Sequence, residues 1–328
     1  MAKILTTKSQ TLQISLPKQS SIKLYTEPDN YGASNLISSA LRLPFTPRSF
    51  AYWLHGWNSV PLKYIELFGV DWDGLYLVAR QEEMEFLKKN NKKAVAIGAP
   101  FIYTDYFTSI CELQRKANSL LVLPPHGMSY TTEKWNESMY VEEIASVIND
   151  FEFVAVCISP NDIEKNKWVD SFKKINIPII EGARVNDKNA LLRMRSLFNQ
   201  FEFVTTNSLG SHVAYAAYAG AKVSFFGHYQ YYDIGDTKKD DLHKLYPKAF
   251  EYLVEEKQER NVRKRYGHLF YKHPSHARLA INYAKNWLGF SEKKAPIEVA
   301  NLLKWWPHQQ IYQFSKKAYI KFKRAFNP

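Results

Sequence analysis

Cysteine is scarce in this chain, with two among 328 residues, Cys111 and Cys157, each inside an apolar run and neither near a second Cys or a His at metal-ligand spacing. That excludes a disulfide-stapled scaffold and a cysteine-held metal, and it predicts buried thiols in a reducing compartment. Long apolar runs are missing as well, since no stretch of about 18 apolar residues occurs, which excludes a membrane-spanning helix of ordinary composition. The opening MAKILTTKSQTLQISL lacks the continuous apolar core of a secretion signal, so the expectation is a cytoplasmic protein. There is also no D-x-D motif in the second half of the chain. The nearest match, Asp71-Trp72-Asp73 before Gly74, lies in the first half and reads as a surface turn, with a metal or acceptor role as the alternative. Internal repeats and low-complexity segments are absent.

What is present describes a water-soluble globular protein: 45% hydrophobic and 23% charged residues over a length that suits two α/β domains. Short β-branched or apolar runs (SFAYWLH, GLYLVAR, KAVAIGAP, SLLVLPP, FEFVAVCIS, IPIIEGA, FEFVTTN, AKVSFFG) alternate with helical patterns at 81–90, 140–150, 161–175, 189–200 and 210–219. That alternation predicts parallel βαβ units, whose ligands bind at the carboxyl ends of the strands. A polar break at LQRKANS divides the chain into an amino-terminal domain, 1–114, a second domain, 115–290, and a tail, 291–328. Residues 233–265 are densely charged. They read as a solvated helix and loop, with Arg260, Arg263, Lys264 and Arg265 as alternative anion contacts.

Three segments carry candidate chemistry. In WLHGWNSVPLK a strand ends in His55-Gly56, placing an imidazole where a parallel sheet exposes its functional groups; His55 suits general-base work on a hydroxyl, with a structural histidine as the alternative. In LVLPPHGMSY two prolines stiffen the exit of a strand and hold His126 at its tip. In FEFVTTNSLGSHVAYAAYAG a strand ends in Thr205-Thr206-Asn207-Ser208, and Gly210, Ser211 and His212 open an Ala-rich helix. The free N–H groups of such a helix start, with the Ser208 and Ser211 hydroxyls, make a site for an anion such as a nucleotide phosphate; a plain N-capped βαβ unit is the alternative.

Over residues 51–227 these motifs, in this order, resemble the CDP-glycerol glycerophosphotransferases of teichoic-acid synthesis and related bacterial GT-B enzymes of capsule and lipopolysaccharide assembly, and more loosely the bacterial sialyl and Kdo transferases. The resemblance implies a GT-B fold: two Rossmann-like domains with a cleft between them, here followed by a basic helical tail. It further implies that His55 is the catalytic base and that His126, Thr206, Asn207, Ser208, Gly210, Ser211 and His212 hold the donor phosphates. Residues 78–105 resemble that group's segment ending in G-x-P. The sequence departs from the pattern where Gly127 follows the second His instead of Pro, where Asn207 replaces a frequent acidic residue, and where the helix 210–220 has no Glu to hold a ribose.

The expected function is therefore an inverting, metal-independent glycosyltransferase that uses a nucleotide sugar, a cytidine nucleotide first, and needs no cofactor. Its alternatives are a CDP-polyol phosphotransferase, an epimerase or hydrolase on the same fold, and a non-catalytic polysaccharide-binding or assembly subunit. Asn30, Tyr31 and Gly32, in a turn before a helical pattern, are expected to line the acceptor side. The net charge of +12 is uneven: residues 291–328 hold eight Lys/Arg against Glu292 and Glu298. Trp305, Trp306, Lys316, Lys317, Lys321, Lys323 and Arg324 predict an amphipathic helix on the inner face of the cytoplasmic membrane, suiting a lipid-linked or glycan acceptor; packing on the amino-terminal domain is the alternative. Nucleic acid is not expected, because no recognisable nucleic-acid module accompanies the basic cluster.

Overall fold

The computed structural model describes residues 2–5, 11–69, 72–126, 136–230 and 244–326. All eight runs read as strands form strands, in two parallel sheets. The smaller sheet is β3 (Ala51–Trp53), β4 (Leu75–Val78) and β5 (Lys93–Ala96), in that order. The larger contains β6 (Lys116–Leu123), β7 (Phe153–Ile158), β8 (Ile179–Glu181), β9 (Phe201–Thr206) and β10 (Lys222–Phe225), in the order β10-β9-β6-β7-β8. Counted from β6 as the first strand, this is the 3-2-1-4-5 order of a Rossmann half. A short antiparallel hairpin, β1 (Ala2–Leu5) and β2 (Thr11–Ile14), precedes both sheets and was not anticipated from the sequence.

The strand order has a direct consequence. Chain connections run outward from β6 in one direction through β7 and β8, then return to lay β9 on its other side. Leu123 therefore pairs with Thr206 at the carboxyl edge. The segments that leave those two residues, carrying His126 and Asn207 to His212, diverge from one topological switch point, the crevice where such sheets receive ligands.

Helices follow the predicted pattern with two breaks, the first in the run 140–150, which is helical over Glu137–Ala145 and ends in a separate 3-10 segment, Ile148–Asp150. The run 161–175 divides into Pro160–Glu164 and Val169–Lys174 because Asn166 and Trp168 take left-handed backbone angles. Trp168 is fully buried and its indole N–H donates to the Pro125 carbonyl at 3.1 Å, so a packing demand outweighs continuous helix and braces the strand exit that carries His126. In the charged segment, Pro247–Glu256 and Glu259–Tyr266 are helical, and Arg260, Arg263 and Arg265 pair with Glu255, Glu259 and Glu256. Cys157 is buried, which pushes its thiol up to about 12. Asp71 lies outside the described residues.

One apolar core spans both sheets, joining Trp53, Leu77 and Phe101 to Leu121, Phe198 and Val213. Phe101 stacks on Tyr215 with ring centres 4.1 Å apart, and Trp57 stacks on Trp287 at 4.8 Å. Burying each such side chain contributes about 2–3 kcal/mol. Two straps reinforce the join. Near the amino terminus, residues 15–32 run along the larger sheet's helix Ala190–Gln200 and the loop before it, where Ser15 N–H donates to Gln200, Ser20 N–H to Asp187, and Tyr31 N–H to the Val185 carbonyl at 2.7 Å. Near the carboxyl terminus, helix Ile281–Trp287 packs on helix Ser211–Tyr218, and the chain then returns to the smaller sheet, with Ala99 N–H on the Leu288 carbonyl and Phe50 N–H on that of Leu303.

The return depends on Gly289, which has φ +64° and would place a Cβ 1.8 Å from the Ala79 carbonyl oxygen. Gly289→Ala is expected to destabilise the protein by about 1–3 kcal/mol from backbone strain alone, with the clash added to that. Gly267→Ala, at a site open on every side within 4 Å, is expected to be neutral or slightly stabilising. Urea-melt midpoints of the two variants check the contrast.

Candidate functional site

His55 leaves the carboxyl end of β3 with its side chain 42% exposed, and its Nδ1 is held by the Glu27 carboxylate, which is itself 16% exposed. Glu27 opens a 3-10 segment, Glu27–Gly32, started by Pro28 and tied down by Asp29, whose carboxylate accepts from the Tyr25 and Thr26 N–H groups and from the Ser34 hydroxyl. Asn30 donates to the other Glu27 oxygen at 2.9 Å, and the Tyr31 ring lies 5.3 Å from the imidazole. With Nδ1 held by a carboxylate, Nε2 is the nitrogen left for a proton from a substrate hydroxyl, the arrangement of an oriented general base.

Of the three residues assigned to the acceptor side, Asn30 and Tyr31 do adjoin His55. Gly32 instead sits where a Cβ would be 2.0 Å from the Lys188 carbonyl oxygen, at φ +76°, so it allows the strap to lie close to the larger sheet. Glu27 was missed. The local sequence EPDNYG reads only as a turn, and nothing in it points to a histidine 28 residues away.

The loop after His55 meets the start of helix Ser211–Tyr218. Trp57 N–H donates to Ser211 Oγ at 2.8 Å, and Gly56, at φ +88°, admits this approach because a Cβ there would lie 2.9 Å from the same oxygen. The expected base and the expected phosphate helix, 156 residues apart, are thus neighbours. Ser211 is therefore engaged in the join as well as available to donate through its own proton. Gly210 precedes the helix in extended conformation with no side-chain cap; Val213 N–H turns back to the Gly210 carbonyl at 3.1 Å, and the helix start carries the partial positive charge that suits an anion.

Around that helix start the other candidates divide. Ser208 is half-buried at the loop, and His126 is exposed at the tip of the adjacent strand exit. Thr206 is buried, and its hydroxyl accepts from Ser208 N–H and bonds His212 Nε2 at 3.0 Å. Asn207 is buried; its amide nitrogen donates to the His228 carbonyl at 2.8 Å, tying the exits of β9 and β10 together, while its Oδ1 has no partner among the described residues. His212 loses solvent beneath the loop, with His126 nearby, and its pKa falls to about 3, so the imidazole that bonds Thr206 is neutral. A cavity of about 310 Å³ adjoins the His55 loop, lined by residues 58–62, Arg80, Glu82, Arg265 and Tyr266.

Trp305 is also corrected. It is 4% exposed and its indole donates to Ser49 Oγ at 3.1 Å, while Trp306 packs partly buried on the same core. These aromatics satisfy the smaller sheet and are not offered to a bilayer. Helix Pro307–Phe326 continues past them, with Lys316 exposed; the side chains of Lys317, Lys321, Lys323 and Arg324 lie outside the described residues.

A histidine with a folded pKa of about 3 stays neutral while the unfolded chain binds a proton from its ordinary value of 6.5 downwards. Stability from His212 is therefore complete above about 6.5 and is lost as pH falls through that window. His212→Asn is expected to lower stability near neutrality and to flatten the acid dependence by up to about 1.4 kcal/mol per pH unit. Urea melts across that range measure the slope.

No protein-family profile matches the chain, and no curated protein matches it by sequence. Among solved structures it is similar to the pneumococcal O-GlcNAc transferase GtfA in complex with UDP and GlcNAc, at 12% identity and a TM-score of 0.35 over 77% of this chain and 51% of that one. The chain thus spans about half the length of that transferase. It is similar to the wall teichoic acid polymerase TagF at 14% identity and a TM-score of 0.36, over 83% of this chain and 68% of that one. A glycosyltransferase from Rickettsia africae aligns at 10% identity and a TM-score of 0.30, over 85% and 71% of the two chains.

Proposed function

We propose that this protein is a GT-B-type glycosyltransferase that moves a sugar from a nucleotide donor to a bacterial surface glycan of the capsule or lipopolysaccharide kind. The observation that carries the reading is the join between Trp57 and Ser211, which sets a carboxylate-oriented histidine beside an uncapped helix start at a Rossmann switch point. A base for the acceptor and a cradle for the leaving group are needed within one substrate's length of each other, and that is what these elements supply.

In this mechanism the acceptor hydroxyl gives its proton to His55 Nε2 and its oxygen attacks the anomeric carbon from the face opposite the nucleotide, inverting the centre. The bond from that carbon to the phosphate oxygen breaks, and the nucleotide leaves with the electron pair. Glu27 orients the imidazole and stabilises the imidazolium that forms. First-turn N–H groups of helix Ser211–Tyr218, the Ser208 and Ser211 hydroxyls and His126 take up the charge developing on the phosphate, so neutralisation is built into the protein and a divalent ion is not required. Cytidine nucleotides are favoured by the motif resemblance. The same resemblance supports a second reading, transfer of a polyol phosphate from a CDP-polyol, in which attack falls on phosphorus with the same base.

A thermal-shift panel of CMP, CDP, UDP, GDP and ADP is expected to give selective stabilisation by one nucleotide; no shift with any of them would favour a non-catalytic binding or assembly role. His55→Ala is expected to lower kcat by about 10²–10⁴-fold with nucleotide affinity retained, and Glu27→Ala to lower kcat less with the same affinity. Ser208→Ala is expected to weaken nucleotide binding instead. Steady-state kinetics with EDTA present, which should leave the rate unchanged, check the metal-independent step.

A further inference from the structure

Displacing Trp305 and Trp306 from the surface changes which residues the tail presents. Ile311, Tyr312 and Phe314, on the first turns of helix Pro307–Phe326, are 67%, 63% and 49% exposed. They do not stand alone. Gln310 donates to the Arg48 carbonyl at 2.9 Å, and Phe314 packs edge-on to Phe50 at 5.5 Å, so this part of the helix lies against loop 44–48. Phe45, in that loop, is 70% exposed, more than any other large apolar side chain among those described. Pro44 and Pro47 flank it, and Thr46 is held by Asn35 at 3.0 Å and Ser38 at 2.7 Å, so the loop is stiff and Phe45 is kept outward without further ordering. Tyr25, 60% exposed, adjoins through the Arg48 and Lys23 cations over its ring.

The charge is of one sign. Lys23, Arg42, Arg48, Lys304 and Lys316 belong to these segments, no Asp or Glu occurs between residues 39 and 50, and none follows Glu298. Of the carboxylates in the adjoining segments, Glu27 is engaged by His55, Asp29 by backbone N–H groups and Ser34, and exposed Glu298 accepts from the Ala295 N–H.

We propose that Phe45, Tyr25 and the first turns of the tail helix form one rigid face that docks on an anionic lipid bilayer, bringing a lipid-linked acceptor to His55. The last clause rests on the transferase reading above; the docking itself does not. Apolar side chains interleaved with lysine and arginine suit the boundary between headgroups and acyl chains. Phe45 and Ile311 offer no polar group to a nucleic-acid base. Tyr25 is two residues from Glu27, so a surface bound at this face holds its headgroups at the acceptor side of the histidine.

Sedimentation of the full chain with vesicles of equal parts phosphatidylglycerol and phosphatidylcholine tests this, with phosphatidylcholine vesicles and a single-stranded RNA as comparisons. Binding to the anionic vesicles is expected, weakened by salt, with Arg48→Ser lowering affinity roughly fivefold and Phe45→Ser with Ile311→Ser lowering it tenfold or more, roughly. Both variants should melt as the unaltered protein does and keep its thermal shift with nucleotide. Three results overturn the proposal: no sedimentation with anionic vesicles, tighter binding to RNA than to vesicles, or vesicle binding that the double variant leaves intact. Loss of the nucleotide shift in the unaltered protein would instead remove the transferase reading and leave the docking result standing.

Discussion

The hydrogen bond from the Trp57 backbone to the Ser211 hydroxyl is short because Gly56 has no side chain, and the rest of the site depends on that approach. It sets the exit of the smaller sheet's first strand against the start of a helix that has no side-chain cap and begins at the larger sheet's switch point. Around it, Trp57 stacks on Trp287, Phe101 stacks on Tyr215, and one apolar core runs through both sheets. A polar contact of this kind contributes about 1 kcal/mol on its own. Its position is enforced by the aromatic packing on either side of it.

The two straps explain how small sheets hold such a geometry. The smaller sheet has three strands, too few to bury both faces alone, and its missing cover comes from the carboxyl-terminal return, where Trp305 and the helix Pro296–Leu302 pack back on it. The amino-terminal strap does the reverse, leaving the larger sheet's side to carry Glu27 to His55. Each unit therefore completes the other. The same exchange brings the tail helix against loop 44–48, with Gln310 on the Arg48 carbonyl and Phe314 edge-on to Phe50.

Much of this was legible beforehand. Every strand of the two parallel sheets announced itself as a short apolar run between helical patterns, because a strand covered on both faces has no polar positions to spare. His55 and His126 stand just past strand ends, as the sequence places them, and a helix does open at Ser211 after Gly210. What residue type alone does not show is where these side chains are held: Trp305 is buried against Ser49, 256 residues away, and Asn207 against His228, 21 away, while His212 is half-buried on Thr206, six residues back.

By itself the sequence determined the element types, the parallel character of the sheets and the strand ends where chemistry collects, since periodicity, glycine placement and apolar runs act over a few residues. Which strand lies beside β6, that Glu27 reaches His55, that Ser211 faces Trp57 and that Trp305 turns inward were decided only by the tertiary structure. Those pairings join residues tens to hundreds of positions apart, and they are chosen by the packing of a shared core, which no local pattern encodes.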